Sequence, residues 1–531
     1  MTRIIASLLL SATWWASVHA VTREHTFVLT NKYIQPDGFN RSSVLVNGQF
    51  PGPLITAKKG DILDVMVYNE LTDKTMAQGT SIHWHGLFMT HAAAQDGVNW
   101  VTQCPIAPGD SHQYKFEIGH QTGTHWYHSH VTTQYCDGLR GPLIIYDDHD
   151  PHKQLYDVDD ASTVITLGDW NHKVSPAAFY AFAPPDSIVI NGLGRHEKGP
   201  KTPLAIVNVE HGKRYRLRVI NAGCLAGFHF SVDQHELTAI EIDGQNIRPY
   251  TAKIIPLYTG QRASVILTAN RPIDNYWMRS RSVSRGQLPT SIVLPAKADD
   301  LHSAILRYKG APIREPKTKH RPGPFLIEHR IVPLTQLLPK TVDRRKPDFS
   351  IHLNITVNDL GFFMVNNHTF HPPPVPVLLQ MMRGTDPYKL MPKGGIIPLP
   401  RNKLIEVSVA GGAPLSPHPF HLHGHAFEVI RSAGTDDFNY DNPPVRDVVS
   451  TGVRGDNVTF QFITDNPGPW FLHCHVDMHL EDGMAIVFAE EPNGVEELKS
   501  QWTPDTWKDL CPRWNNLKTG KQFIISDWQT N

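Results

Sequence analysis

The chain has 531 residues, with 50 Lys and Arg against 51 Asp and Glu and a formal net charge of -1. That balance excludes a protein that grips nucleic acid or another polyanion through a basic face. Only 19% of residues are charged while Pro (42) and Gly (38) are abundant, which argues for an all-β chain rich in turns and against a helical one.

In chain order, Met1-Thr2-Arg3 precedes an apolar run from Ile4 to about Val18 and a small residue at Ala20. This reads as a secretory signal over residues 1–20. The run is shorter than the ~20 apolar residues of a membrane span, and no later segment qualifies. The expectation is a soluble, secreted protein with neither a membrane nor a nucleic acid as partner. The length suits about three domains. Alternating runs at 61–68, 214–220 and 457–463, separated by Gly/Pro turns, read as sandwich strands. A first domain spans 21–150 and ends near Asp147-Asp148-His149-Asp150-Pro151. A second spans 151–320 and ends in the Pro- and Lys-rich stretch 311–324. A third spans 321–531.

Four motifs carry the chemistry: His83-Trp84-His85-Gly86, His128-Ser129-His130, His418-Pro419-Phe420-His421-Leu422-His423-Gly424, and the stretch from Trp470 to His479 containing His473-Cys474-His475. On an extended segment, positions i and i+2 share a face. Each His-x-His can therefore present two imidazoles to one place, and Cys474 points away from His473 and His475. One strand would thus touch two metal centres joined by a few bonds. Eight imidazoles (His83, His85, His128, His130, His421, His423, His473 and His475) fit a cluster of three copper ions. His418, Cys474 and His479 with Met484 match the donor set of an electron-transfer blue-copper site. Zinc is a poor account, because a structural zinc site is four-coordinate and closed and ten histidines around one cysteine overfill it. A lone His is ordinarily structural, and His91, His112, His120, His125, His229, His235 and His425 are read that way. The second domain holds no His-x-His. The cluster should lie between the first and third domains, four histidines from each, with the middle domain a spacer and a wall of the substrate pocket.

Five cysteines are an odd number for an oxidising compartment, and Cys474 is the natural one to stay free as a metal thiolate. Cys104, Cys136, Cys224 and Cys511 allow three pairings. Asn40, Asn354, Asn367 and Asn457 each head a glycosylation sequon.

These elements resemble those of the multicopper oxidases, and within them the fungal laccases of basidiomycete type. Similar stretches at 133–142, 376–380, 464–470 and 507–512 extend the resemblance over nearly the whole mature chain. It implies three cupredoxin-like Greek-key β-sandwich domains and disulfides Cys104–Cys511 and Cys136–Cys224. It implies four copper ions. The type 1 copper takes Cys474, His418 and His479, and the type 2 copper takes His83 and His421. The type 3 pair takes His85, His128 and His475 on one ion and His130, His423 and His473 on the other. The implied activity is one-electron oxidation of small phenols and aromatic amines, with Cys474 passing electrons through His473 and His475 to a cluster that reduces O2 to water. Lignin or phenolic polymer breakdown is one role for such an enzyme, and a monomer is its default state.

Asp96, in Gln95-Asp96-Gly97, occupies the place of a laccase carboxylate that serves the cluster, and is equally placed to form a turn. Asp477 and Glu481 are expected to orient imidazoles. Two positions depart from the family pattern. Met484 stands where many high-potential fungal laccases have Leu or Phe, which implies a lower-potential enzyme unless Met484 is ordinary core. Leu225 stands where the laccase pocket usually offers an acid. Asp233 and Glu236 are the nearest acids in sequence, and Phe363 and Pro414 are candidate pocket-wall residues. Two rival functions remain open at this point. A ferroxidase would need carboxylates near the blue site, for which Asp233, Glu236 and Asp447 are available. A non-catalytic copper-binding protein would have no use for a complete oxygen-reducing cluster.

Overall fold

The computed structural model describes residues 20–176, 184–283, 298–415, 417–494 and 503–517. All of the expected signal except Ala20 lies outside them. Among the described residues no helix is long and apolar enough to cross a membrane.

Period-two patterning builds the layers. In Ile62–Asn69, Leu63, Val65 and Val67 are buried while their neighbours are less so. This strand lies between Thr22–Ile34, parallel to it, and Ser111–Glu117, antiparallel, in a four-stranded sheet completed by Arg41–Val46. The facing sheet runs Ile55–Lys58, Arg140–Tyr146, Gly123–His128, His83–His85. It sets Ile55, Leu143 and Ile145 against the first sheet. The middle of the chain forms a seven-stranded and a five-stranded sheet between Val164 and Tyr308. From Phe349 to Glu490 follow two five-stranded sheets and a two-stranded ribbon. The result is three cupredoxin-like β-sandwiches.

The first and third sandwiches share one contiguous apolar core, running from Phe27 and Trp84 to Trp470 and Phe488. The middle sandwich has its own, around Leu217, Phe230 and Val265. The expected linker at 311–324 is followed by a segment that still packs on the middle sandwich. Phe325 bridges to Ile254 and Pro333 to Ile247, because Leu326 and Ile331 bury their side chains in the middle core.

The C-terminal helix Asp505–Asn515 returns to the first sandwich. It buries Trp507, Leu510 and Trp514, and the Trp507 indole donates to the Thr102 carbonyl at 3.1 Å. Cys511 is bonded to Cys104 across 407 residues. Closing so long a loop removes much conformational freedom from the unfolded chain. Cys136–Cys224 ties the first sandwich to the middle one. Both pairings are those the resemblance implied. Of the sequon residues, Asn40, Asn354 and Asn367 are exposed. Asn457 is half-buried and accepts a hydrogen bond from the Thr459 hydroxyl at 3.4 Å.

A buried ionic knot holds the first sandwich to the middle one. Glu241 is bound by Arg216, by the Thr124 backbone N–H at 2.7 Å, by Ser264 Oγ at 3.0 Å and by Arg218 at 3.4 Å. Burial pushes its carboxyl pKa up, but Arg216 and Arg218 prevail and hold it down at about 2, below the ordinary 4.5. A depressed carboxylate contributes stability above its unfolded value and loses it as pH falls through the folded one. Glu241→Gln should therefore destabilise at neutral pH and narrow the gap in denaturation midpoint between neutral pH and pH near 3. Urea titrations at the two pH values measure that gap, and an unaltered gap would show that Glu241 does not contribute.

Candidate metal centre

Two antiparallel strand pairs present the histidines. His83 lies directly opposite His128, and His421 directly opposite His473. The second member of three motifs (His130, His423 and His475) sits just past the strand end. Trp84, between His83 and His85, points the other way into the core. The shared core presses the two pairs together, and all eight rings are buried at their meeting.

The rings gather into groups whose donor atoms lie within 4.8 Å of one another: His85, His128 and His475; His130, His423 and His473; and His83 with His421 and His85. In most rings, one nitrogen is anchored. His83 Nδ1 pairs with the Asp96 carbonyl at 2.8 Å, His128 Nδ1 with Ser129 O at 2.8 Å, and His421 Nδ1 with Asp447 O at 2.8 Å. His473 Nδ1 pairs with Cys474 O at 3.0 Å, and His423 Nδ1 with Asp96 Oδ2 at 3.0 Å. An anchored nitrogen carries the proton, so the other is a bare lone pair facing inward. Among the described residues, Nε2 of His83, His128, His130 and His421 has no hydrogen-bond partner, although it is buried. His423 and His473 approach Nε2 to Nε2 at 3.1 Å, as do His475 Nε2 and His85 Nδ1. Two nitrogens at the ~2.0 Å of a metal–imidazole bond stand about 3 Å apart on one ion.

Electrostatics favour the same state. Burial and the neighbouring imidazoles push the pKa of His85, His128, His130, His421, His423 and His473 well below the ordinary 6.5. Burial lowers His475 to about 3. Neutral rings with inward lone pairs are what metal binding requires.

On the opposite face of the Gly468–Cys474 strand, Cys474 Sγ lies 3.6 Å from Nδ1 of both His418 and His479, and these two nitrogens are 3.1 Å apart. His418 Nε2 is tied to the Pro414 carbonyl at 3.0 Å, leaving Nδ1 inward. Burial pushes the Cys474 thiol pKa far up. A thiolate there needs a cation, which a soft metal held by Cys474, His418 and His479 would supply. Met484 lies across from Cys474 in the register that pairs His473 with Ala485, and so on the same face of the sheet. It is fully buried. Phe363 packs its ring on His418 and His479, with centroids 5.6 and 5.0 Å away. Phe363 and Pro414 thus back the trio and are not among the residues that line the cavity beside His479.

Asp96 stands both at a turn and against the cage. Gly97, at φ +79°, makes the turn, and the wholly buried carboxylate reaches His423 at 3.0 Å and His83 Nδ1 at 3.2 Å. Asp477 differs from expectation. Its Oδ2 lies 3.4 Å from Cys136 Sγ, so it faces the disulfide and not an imidazole. The reason is position: it opens the short helix Asp477–Glu481, where its N–H donates to the Cys224 carbonyl at 3.0 Å. Burial and the Glu481 carboxylate raise its pKa, and burial with Asp482 raises Glu481 to about 8.

Several site residues carry no motif. Arg262 is fully buried and forks onto Asp447 with bonds of 2.6 and 2.8 Å, while Asp447 Oδ1 lies 3.4 Å from His85 Nε2. Gly260, at φ +85°, passes so close that a Cβ would meet His475 Cδ2 at 2.8 Å. Tyr135 Oη sits 3.4 Å from His475 Nδ1. The middle sandwich therefore touches the cluster and is more than a spacer.

A cavity of about 540 Å³ opens beside His479, between middle-sandwich residues (Leu225, Tyr258, His302) and third-sandwich residues (Leu415, Val476). Leu225 is held there by Asp169, whose carboxylate accepts the backbone N–H groups of Cys224, Leu225 and Ala226 at 2.9, 2.7 and 2.9 Å. Asp233 is committed to Arg279 at 2.8 and 2.6 Å, and Glu236 is exposed elsewhere. No carboxylate lines the cavity among the described residues.

Asp96→Asn is isosteric and keeps the turn, but removes the charge that orients His423 and His83. It should cost about 10–100-fold in metal affinity at the imidazole cage and spare the Cys474 site. Metal analysis and electron paramagnetic resonance read the two populations separately; full occupancy of both would refute the assignment.

Multicopper oxidase family models match residues 28–150, 161–311 and 370–494. The chain is 47% identical to Laccase-1 of Agaricus bisporus over 97% of its own length and 99% of that protein. A laccase structure from Botrytis aclada superposes with a TM-score of 0.80 at 32% identity, covering 95% of this chain and 94% of that one. A multicopper oxidase that functions in iron import superposes at 0.79 and 26% identity, covering 93% and 95%. The matches span both strand pairs of the cage and the Cys474 trio, and the chain belongs to the multicopper oxidases, among the fungal laccases.

Proposed function

We propose that this chain is a secreted laccase that takes single electrons from small phenols and aromatic amines and reduces O2 to water, with lignin or phenolic polymer as a setting for that chemistry. The observation that carries the reading is the double position of His479. It lines the cavity and it completes the trio with Cys474 and His418. Cys474 in turn is flanked by His473 and His475, which belong to two different groups of the cage. Substrate contact, thiolate and cage are thus joined by continuous polypeptide.

In this reading His418, Cys474 and His479 would hold one copper, with Met484 on the same face of the sheet, and His83 and His421 would hold a second. His85, His128 and His475 would hold a third, and His130, His423 and His473 a fourth. When bound, these coppers supply one-electron oxidation at the trio and four-electron reduction of O2 at the cage. The protein's own part is to orient and to exclude. Backbone carbonyls fix the tautomers, and burial of all eight rings keeps bulk solvent out. Asp96 Oδ2 holds the proton on His423 Nδ1 and is the carboxylate through which protons would reach the cage. Every donor comes from one chain, in keeping with a monomer.

Iron oxidation is disfavoured by the cavity. Its candidate acids are engaged elsewhere, Asp233 with Arg279 and Asp447 with Arg262. Copper-loaded protein should show an intense blue thiolate band, a near-ultraviolet band from the coupled pair, and O2 uptake with a methoxyphenol faster than with Fe(II). A blue band with uptake driven only by Fe(II) would replace laccase by ferroxidase. A blue protein with no uptake on any reductant would leave copper binding alone.

Met484 gives a separate test. If its thioether faces the copper, Met484→Leu should raise the potential of the blue site, by about 60 mV for each tenfold change in the relative affinity for the two oxidation states. An unchanged potential in a redox titration would reduce Met484 to core packing.

A further inference from the structure

Phenol oxidation releases a proton as well as an electron, and the cavity beside His479 is apolar and free of carboxylates among the described residues. Among the described residues, three titratable side chains line it: His479, Tyr258 and His302. His479 is taken up by the metal trio. Burial pushes the Tyr258 phenol pKa far up, so it stays protonated and is no base. His302 is left.

His302 is built into its place. It immediately precedes the strand Ser303–Tyr308, and its carbonyl accepts the Ser280 N–H from the neighbouring strand at 2.9 Å. Its φ of +58° is a conformation that few side chains adopt, His among the more tolerant. Its ring makes no hydrogen bond to any described residue, although it is half-buried at the cavity wall. Burial first, and then the Arg281 guanidinium, lower its pKa to about 4. Arg281 is the charge beside it; Asp233 and Asp299 lie beyond, tied to Arg279. Above pH 4 the ring is therefore neutral, with a lone pair available to a donor in the cavity.

Building on the laccase reading, we propose that His302 accepts the hydrogen bond of the phenolic hydroxyl and takes its proton as the electron leaves through His479. The phenol loses one electron to the Cys474 site and one proton to the free ring nitrogen of His302, and departs as the neutral phenoxyl radical. His302 then returns the proton to solvent. A phenol that has lost an electron is a strong acid, so a weakly basic imidazole suffices. Aromatic amines, which also lose N–H protons on oxidation, fit the same acceptor.

The test uses holoenzyme and two probes, 4-nitrophenol and 4-nitroanisole, alike in shape but with only the first a donor. Binding is measured by calorimetry between the His302 value of about 4 and the ionisation of 4-nitrophenol. Wild type should prefer 4-nitrophenol by about fivefold, the ~1 kcal/mol of a net hydrogen bond. His302→Gly, which suits the positive φ, should erase the preference. His302→Asn also suits it, and its amide oxygen accepts a hydrogen bond but not a proton. It should keep the preference yet lose about tenfold or more in kcat on 2,6-dimethoxyphenol. Equal binding of the two probes by wild type, a preference surviving in His302→Gly, or full kcat in His302→Asn would overturn the proposal. The binding arm does not depend on turnover, so a protein inactive on every phenol would end the laccase reading while still reporting on His302.

Discussion

The whole site rests on one requirement: imidazole nitrogens must be kept unprotonated and dry while their lone pairs converge. An imidazole binds a metal only through a deprotonated nitrogen. The protein meets this by burial, which disfavours the charged ring, and by giving most rings a fixed acceptor for their one proton. The Asp96, Ser129, Asp447 and Cys474 carbonyls and the Asp96 carboxylate play that part. The bare nitrogens that result are expensive. An unsatisfied buried polar group costs about 1–3 kcal/mol, and Nε2 of His83, His128, His130 and His421 all stand in that position. Metal binding offsets the cost, so loading the cage and closing the interface between the first and third sandwiches are linked equilibria.

That linkage explains why the first and third sandwiches share a core while the middle one keeps its own. Histidines from both sides must reach sub-ångström agreement, and a rigid, close-packed interior transmits position better than a mobile interface. The middle sandwich is attached differently, through buried charge. Arg262 donates to the Thr124 carbonyl of the first sandwich at 3.0 Å, to its neighbour Gly260 at 3.2 Å and to Asp447 of the third. One guanidinium thus keys all three units together beside the cage. Such a group adds little net stability, because its desolvation is costly, but removing one partner leaves a buried charge unpaired. Its contribution is registry: Asp447 anchors His421 through its carbonyl and Arg262 through its carboxylate.

The cage was legible in the sequence because metal ligation is a local code here. Two-residue spacing on a strand shows as His-x-His whatever the rest of the chain does, and Cys474 between two such histidines admits few other accounts. Strand positions such as 61–68 and 457–463 were legible for the same reason, since period two is written residue by residue. What could not be read was long-range and polar. Arg262 and Asp447 are 185 residues apart, and nothing near either marks the partner. Asp169 holds Leu225 across 56 residues. Asp477 looked like an imidazole partner because it lies two residues from His475, yet the chain turns into a helix there and carries the carboxylate to the disulfide. The extent of the middle sandwich was obscured likewise: 311–324 has a linker's composition, but Leu326 and Ile331 just beyond it belong to the middle core.

The cavity and the cage are held by opposite strategies, and this sets what can vary. Most cage ligands are tied through their own side chains, so almost any substitution there breaks the arrangement. The cavity turn at Cys224–Ala226 is tied through backbone N–H groups gathered on Asp169, itself backed by the Arg140 guanidinium on its carbonyl at 2.9 Å. A turn fixed by its main chain tolerates any side chain that fits the space. The side chain at Leu225 can therefore vary without disturbing the disulfide at Cys224 or the approach to His479. With no carboxylate among the described lining residues, a donor bound there must find its proton acceptor in another group that faces the cavity. An apolar wall also lowers the local dielectric, which strengthens any hydrogen bond made there and penalises a charged donor. A mouth lined in this way suits neutral aromatic molecules better than hydrated cations, whichever ion the Cys474 trio would hold.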